Sequence, residues 1–203
     1  MDLTAEIITL PNDHPARSKA LPWYNSSISG ALRPSMSFLP ENWSKIRAGE
    51  VEAHIHNVAS WKVLPRPSIG KFRFLEQVLL RHPSYEQVLT ALTTRSTPPP
   101  RFLDIGACLD QDLRMLASAG VPTDQLSGTD IFPKFERIGH MVFRDEDQFS
   151  STQFICGNSL SHDAQDSLRD TRGPWSIVHL SMFLHIFDLD DQERVCMRVM
   201  DLL

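Results

Sequence analysis

The chain is short of the features that several function classes require. It has three cysteines in 203 residues, Cys108, Cys156 and Cys196, and no C-x-x-C pair. That excludes a disulfide framework and a structural zinc site, and each thiol sits in an apolar run that suits a buried, reduced cysteine. Basic charge is not in excess: 20 Lys and Arg stand against 25 Asp and Glu, a formal charge of -5. With no general attraction to phosphate backbones or anionic lipid, neither nucleic acid nor a membrane surface is expected as a partner. No run reaches 18 uninterrupted apolar residues, and Met1 to Pro15 carries Asp2 and Glu6 where a secretion signal would be basic and then apolar. These absences predict no transmembrane helix and a cytoplasmic location. The chain lacks a G-x-S-x-G elbow and a P-loop, which argues against nucleophile-elbow hydrolases and nucleotide triphosphatases. It also shows no internal repeat.

What is present suffices for one ordinary domain: 41% hydrophobic and 22% charged residues describe a globular chain with a single core. Composition shifts at Ser96-Thr97-Pro98-Pro99-Pro100, which proline makes a hinge between an N-terminal region, 1–95, and a second region, 101–203. Residues 1–60 are rich in Pro, Ser and Asn with scattered aromatics, and predict irregular structure with short helices. Farther on, Phe74, Leu75, Val78 and Leu79 fall on one helical stripe, and Pro83 starts a second helix carrying Val88, Leu89 and Leu92. This reads as a helical lid.

After the prolines, strand and helix alternate. Strands are predicted at Arg101 to Gly106, Leu126 to Ile131, Gln153 to Cys156 and Trp175 to Leu180. Helices follow with the inward stripe Leu109, Leu113 and Leu116, from Pro133, across Asp163 to Arg169, and from Asp190, where Glu193 completes a capping-box spacing. Four such units imply a parallel sheet with helices on its faces, an α/β fold.

In such sheets the ligand lies at the carboxyl ends of the strands. Gly106 lets the chain turn tightly after the first strand, Asp104 points a carboxylate to the same place, and Asp130 ends the second strand where an acid can take both hydroxyls of a ribose. A nucleoside-bearing cofactor is the natural ligand. The loop positions of a G-x-G-x-G pattern hold Gly106, Cys108 and Asp110, and a carboxylate at the helix start repels a pyrophosphate, which disfavours NAD and FAD. S-adenosylmethionine, positive at its sulfonium and ammonium groups, tolerates this loop better.

The run LDIGACLDQDLRMLASAGVPTDQLSGTDIF, with PRPSIGKFRFLEQVLLRHPSY before it and VHLSMFLHIFDLDDQERV after it, resembles the fungal secondary-metabolite methyltransferases found with polyketide and meroterpenoid pathways. The likeness covers residues 20 to 203. It implies a Rossmann-like methyltransferase fold that uses S-adenosylmethionine to methylate a hydroxyl, or a carboxyl, of a polyketide- or meroterpenoid-derived small molecule such as a hydroxy-pyrone. By position it gives Asp104, Gly106 and Asp130 to the cofactor, sets Asn158 against the adenine where relatives have an aspartate, and puts Ser181, Met182 and Phe183 at the methyl-transfer site. His185, just beyond, is the candidate general base, since imidazole takes a proton from an acidic hydroxyl near neutral pH. Relatives place glycine where Asp110 stands and continue into further strands, so the sheet is expected to be truncated at its C-terminus, leaving an edge for a partner or a homodimer.

The same residues have plainer readings. Asp110 can be a helix N-cap, and His185, among Phe183, Leu184, Ile186 and Phe187, can be a core histidine. His54 and His56 do not share a helix face, and no metal site is expected. Two other functions remain open: a degenerate accessory or binding protein on the same fold, and a methyltransferase-fold cyclase or isomerase that binds cofactor without consuming it.

Overall fold

The computed structural model describes residues 15, 18, 20–22, 24–28, 32–58, 67–149, 153–161, 167–168 and 175–203. Strands β1 (Phe102–Ile105), β2 (Leu126–Asp130), β3 (Gln153–Cys156) and β4 (Ile177–Leu180) form one parallel sheet in the order β3-β2-β1-β4. The chain steps outward from β1 to β3 and then returns to the far side of β1, so the topological switch, the place where open α/β sheets take their ligands, falls between β1 and β4. All of β1 is buried, as a central parallel strand must be when both faces are covered. Phe102 and Asp104 look to one face, Leu103 and Ile105 to the other.

In chain order the helices named below are α1 (Pro34–Phe38), α2 (Val51–Asn57), α3 (Tyr85–Thr93), α4 (Gln111–Ser118), α5 (Lys134–Phe143), α6 (Glu146–Phe149) and α7 (Leu189–Leu202). Helix α4 puts Leu113 and Leu116 against Phe102 and Leu126. It stops at Gly120, whose φ of 98° is left-handed, with the amide of Val121 donating back to the carbonyl of Leu116. Helix α7 covers the opposite face, where Leu202 packs with Leu103, Ile105 and Trp175. Its cap is Asp188, whose carboxylate accepts the amide of Asp191 at 2.9 Å, two residues before the expected start at Asp190. The helix expected across Asp163 to Arg169 lies outside the described residues, apart from a turn at Ser167 and Leu168. No described helix is long and apolar enough to cross a membrane.

Two expectations are corrected. Phe74 to Leu79 is not a helix but two 3-10 turns, Arg73–Leu75 and Leu79–Arg81, joined through an extended Glu76. The apolar residues serve different cores: Phe74 and Leu75 join Leu39, Ile55 and Phe143, whereas Leu79 joins Phe102, Leu113 and Tyr85. One helical stripe could not face both. The cysteines are free as expected, but Cys156 and Cys196 are exposed and only Cys108 is partly buried. Cys156 ends the strand at one margin of the sheet, and Cys196 lies on the outward side of α7.

The N-terminal region shares its core with the sheet region. Ile28, Leu39 and Ile55 pack in one cluster with Leu109, Met115, Phe135 and Phe143, and a π-type turn over Leu39–Trp43 rests on α4 and α5. This cover explains why α4 is buried even at Arg114. The Arg114 guanidinium grips Asp145 through Nε to Oδ2 at 2.6 Å and Nη2 to Oδ1 at 3.1 Å, donates from Nη1 to the carbonyl of Leu109 at 2.7 Å, and lies against the rings of Phe143 and Phe149. The Trp43 indole donates to Asp145 at 2.6 Å, and His140 lies 3.0 Å from its other oxygen. Every donor of a buried cation is thus directed at an acceptor, the condition under which a buried ion pair is tolerated.

Burial pushes the Asp145 carboxyl up, but hydrogen bonds from His140, Arg114 and Trp43 outweigh it and hold the group at about 2, below its ordinary 3.8. The stability it adds is present above pH 3.8 and lost as pH falls through about 2. Replacing Asp145→Ala strands the buried Arg114 and should cost about 3–5 kcal/mol in urea unfolding at neutral pH. A loss below ~1 kcal/mol would show that the network does not carry the fold.

Candidate functional site

The loop after β1 has the path of a three-glycine turn with one glycine in it. The backbone is left-handed at Gly106 (φ 74°), Cys108 (φ 55°) and Asp110 (φ 54°). For residues with a Cβ this conformation costs on the order of 1 kcal/mol each, least for Asp. Tertiary contacts impose it: Gly106 and Ala107 donate to the carbonyl of Thr129 at 2.8 and 3.0 Å, Asp110 to that of Ala107 at 2.8 Å, and Cys108 to the Asp130 carboxylate at 3.2 Å. Only the first position requires glycine for space, since a Cβ on Gly106 would collide with the ring of Phe183.

Asp110 occupies the N-cap position of α4, yet its side chain makes no capping hydrogen bond, contrary to the N-cap reading. The carboxyl folds inward over Gly128, where a Cβ would meet it, leaving Oδ1 without a partner and Oδ2 3.9 Å from Arg114. Burial raises this carboxyl to about 8, and the acids Asp104, Asp130 and Glu136 add to the rise, against the opposing pull of Arg114. Burial thus biases Asp110 toward its neutral form, which weakens the repulsion expected of a carboxylate in this loop.

Asp104 is buried at the end of β1 and lies 2.9 Å from Nδ1 of His179, its partner in register on β4. Asp112, in the first turn of α4, is fully buried; its Oδ1 accepts the Leu79 amide at 3.1 Å and its Oδ2 has no partner. Burial, then Asp104, raises Asp112 to about 7, partly offset by the backbone amides and by His179. Burial disfavours the His179 cation, but the hydrogen bond and charge of Asp104, with Asp112, outweigh it and raise the imidazole above 6.5. Asp104, Asp112 and His179 offer ligand atoms within 4.8 Å of one another, a set able to hold a metal ion, which the sequence did not announce.

Asp130 is half-buried at the end of β2, its oxygens accepting the amides of Cys108 and Phe132, both at 3.2 Å. Gly157 donates to the Asp130 carbonyl at 3.2 Å, which brings Asn158 beside the end of β2; Asn158 is exposed, and its Oδ1 accepts the Leu160 amide at 3.0 Å. After β4, Ser181 is half-buried, Met182 is exposed at a left-handed φ of 50°, and Phe183 reaches the loop at Gly106. His185 is exposed in a 3-10 turn, Leu184–Ile186, which overturns its core reading. The structure thus gathers Asp104, Gly106, Asp130 and Phe183 around one loop. Sequence reasoning missed Asp112 and His179. A histidine inside the apolar strand Ile177–Leu180 was the available signal, because a polar side chain on a strand facing the core needs a partner.

Residues 23–75 match the family model described as the meroterpenoid methyltransferase N-terminal domain. Over 194 residues the chain is 36% identical to an O-methyltransferase of a fungal species, covering 93% of this chain and 62% of that protein. It is 33% identical to an O-methyltransferase of Stereocaulon alpinum over 92% of this chain and 53% of that one. It is 29% identical to the Asnovolin E/Chermesin D methyltransferase of Aspergillus novofumigatus, over 99% and 70%. The chain spans less than two thirds of the length of the first two relatives. No solved structure matches it.

A carboxyl raised in the folded state contributes stability that is complete below 3.8 and declines until pH reaches about 8. Asp110→Asn keeps the shape and removes the proton, so its stability relative to the unsubstituted protein should rise by up to about 1.4 kcal/mol per pH unit between these limits and level off above. Parallel urea titrations from pH 5 to 9 measure this difference; a flat difference would mean that Asp110 is ionised.

Proposed function

We propose that this chain, a homologue of fungal secondary-metabolite methyltransferases that matches the meroterpenoid methyltransferase N-terminal domain over residues 23–75, is an O-methyltransferase using S-adenosylmethionine on a small polyketide- or meroterpenoid-derived molecule. The observation that carries the reading is the left-handed backbone at Gly106, Cys108 and Asp110 with acids ending both flanking strands. The residues fit such a cofactor. The loop follows the three-glycine path, burial works against charge on Asp110 there, and Asp104 and Asp130 suit a ligand with a cationic end and a ribose.

When bound, the cofactor supplies an electrophilic methyl group on a sulfonium. The Asp104 carboxylate would accept from its ammonium group, and the Asp130 carboxylate, held at the end of β2 by the amides of Cys108 and Phe132, would accept from the ribose hydroxyls. Asn158 keeps its amide NH2 for an adenine ring nitrogen while its oxygen serves the turn. Ser181, Met182 and Phe183 line the acceptor side, and Phe183, pressed on Gly106, shields the loop from water. His185 takes the proton of the acceptor hydroxyl as general base, a role that its exposure permits. Alignment of acceptor and donor supplies most of the remaining acceleration.

The accessory-protein reading also has an observation behind it. Among the described residues β4 pairs only with β1, and α7 exposes Leu189, Met197 and Met200, apolar side chains that a partner or second copy could cover.

Calorimetric titration with S-adenosylmethionine and S-adenosylhomocysteine separates the readings: micromolar affinity is expected, and no binding by the folded protein would favour the accessory role. Asp130→Ala should weaken binding by about 1.5–3 kcal/mol, the range for a hydrogen bond to a charged group. His185→Ala should leave cofactor affinity intact and lower turnover about 10²–10⁴-fold. Unchanged turnover would remove His185 from the chemistry.

A further inference from the structure

A short carboxylate at a strand end can aim at a ligand only if something fixes its side-chain torsions. On the face of β1 that carries Asp104, the register neighbours are Gly128 on β2 and His179 on β4. Gly128 offers no side chain, and the space above it holds the carboxyl of Asp110. The fixing group is therefore His179. Its Nδ1 lies 2.9 Å from Asp104 Oδ1, and its ring is held at a 31° tilt against Phe102, with 5.8 Å between centroids. Both side chains are largely buried, 4% exposed for Asp104 and 16% for His179, so water does not compete well for the bond.

A second buried carboxyl lies close to His179. Asp112 presents a carboxyl oxygen within 4.8 Å of both Asp104 and His179, and Asp112 is held in place by the Leu79 amide of the N-terminal region. The charged groups that face the imidazole are Asp104 from β1 and Asp112 from α4. One imidazole between two buried carboxyl groups, one of which keeps an unpartnered oxygen, is an arrangement that packing alone does not ask for.

We propose that His179 is a positioning residue for the cofactor: it holds the Asp104 carboxylate in the orientation from which that group meets the ammonium of the ligand. The assignment rests on the reading that the β1 loop binds S-adenosylmethionine. It predicts that a change at His179 is felt at the amino-acid end of the ligand and not at its nucleoside end. It also predicts that a neutral donor of the same reach substitutes for the imidazole, because the work is directional hydrogen bonding.

The test compares two ligands on three proteins. The unsubstituted protein, His179→Phe and His179→Asn are titrated calorimetrically with S-adenosylmethionine and with methylthioadenosine, which keeps the adenosine and lacks the amino-acid end. Asn places an N–H where Nδ1 stands; Phe keeps the ring volume without a donor. His179→Phe should bind S-adenosylmethionine at least about tenfold more weakly and methylthioadenosine unchanged, and His179→Asn should recover most of the loss. Equal weakening of both ligands, or of neither, would overturn the positioning role. If His179→Phe does not fold, His179→Gln, whose amide reaches the wrong point, takes its place with the same expectation against Asn. Failure of the unsubstituted protein to bind either ligand would instead overturn the cofactor reading itself. A rise in melting midpoint on adding Mg2+ or Zn2+, lost in His179→Phe, would replace positioning with a cation held by Asp104, Asp112 and His179.

Discussion

The arginine at the centre of α4 holds the molecule together. Arg114 has no contact with solvent, and its donors reach two separate parts of the chain: Nε and Nη2 go to Asp145 in the elbow between α5 and α6, and Nη1 goes to the carbonyl of Leu109 in the loop after β1. Trp43 of the N-terminal region meets the same Asp145. A guanidinium presents five donors in a fixed plane, so the partners it satisfies must take fixed relative positions. The loop, the helix that follows it, the α5–α6 elbow and the N-terminal cover are therefore positioned by one cation. Charge in the interior is costly unless paired on every side, and here the pairing draws separate segments together.

That constraint bears directly on the ligand loop. Leu109 lies between the two left-handed non-glycine residues, Cys108 and Asp110, and its carbonyl is held by Arg114. The strained turn is thus fastened at both ends, by Thr129 and Asp130 of β2 before it and by Arg114 after it. A Cβ in this conformation costs on the order of 1 kcal/mol, less than the hydrogen bonds that hold it, so the loop keeps its path without glycines. The Asp110 side chain finds its place because β2 carries Gly128 opposite; a larger residue there would force the carboxyl outward toward the ligand.

The site concentrates acids and then controls their protons. Asp104, Asp110, Asp112 and Asp130 converge at the carboxyl ends of two strands and the start of one helix. Burial biases Asp110 toward its neutral form and brings Asp112 near the balance point, while His179 is biased toward its cation. Burial thus works against charge on Asp110 and Asp112, the two acids held inside the helix and loop. A count of acids from the sequence overstates the charge of the loop.

The sequence by itself determined the four strands from Phe102 onward, the helices α4, α5 and α7 between and after them, the parallel sheet, the strand-end acids Asp104 and Asp130, and the glycine at 106. Those features are local: apolar runs of strand length, helical stripes such as Leu109, Leu113 and Leu116, and turn residues speak through nearest neighbours. The family resemblance was legible for the same reason, since it resides in contiguous runs. Only the tertiary structure decided that Phe74 and Leu79 serve different cores, that Arg114 is interior, that Asp110 turns inward where burial raises its carboxyl, and that His179 and Asp112 come together with Asp104. Each of these depends on groups distant in sequence, 31 residues between Arg114 and Asp145 and 75 between Asp104 and His179. Burial and charge pairing are properties of that assembled neighbourhood, and no window of sequence contains them.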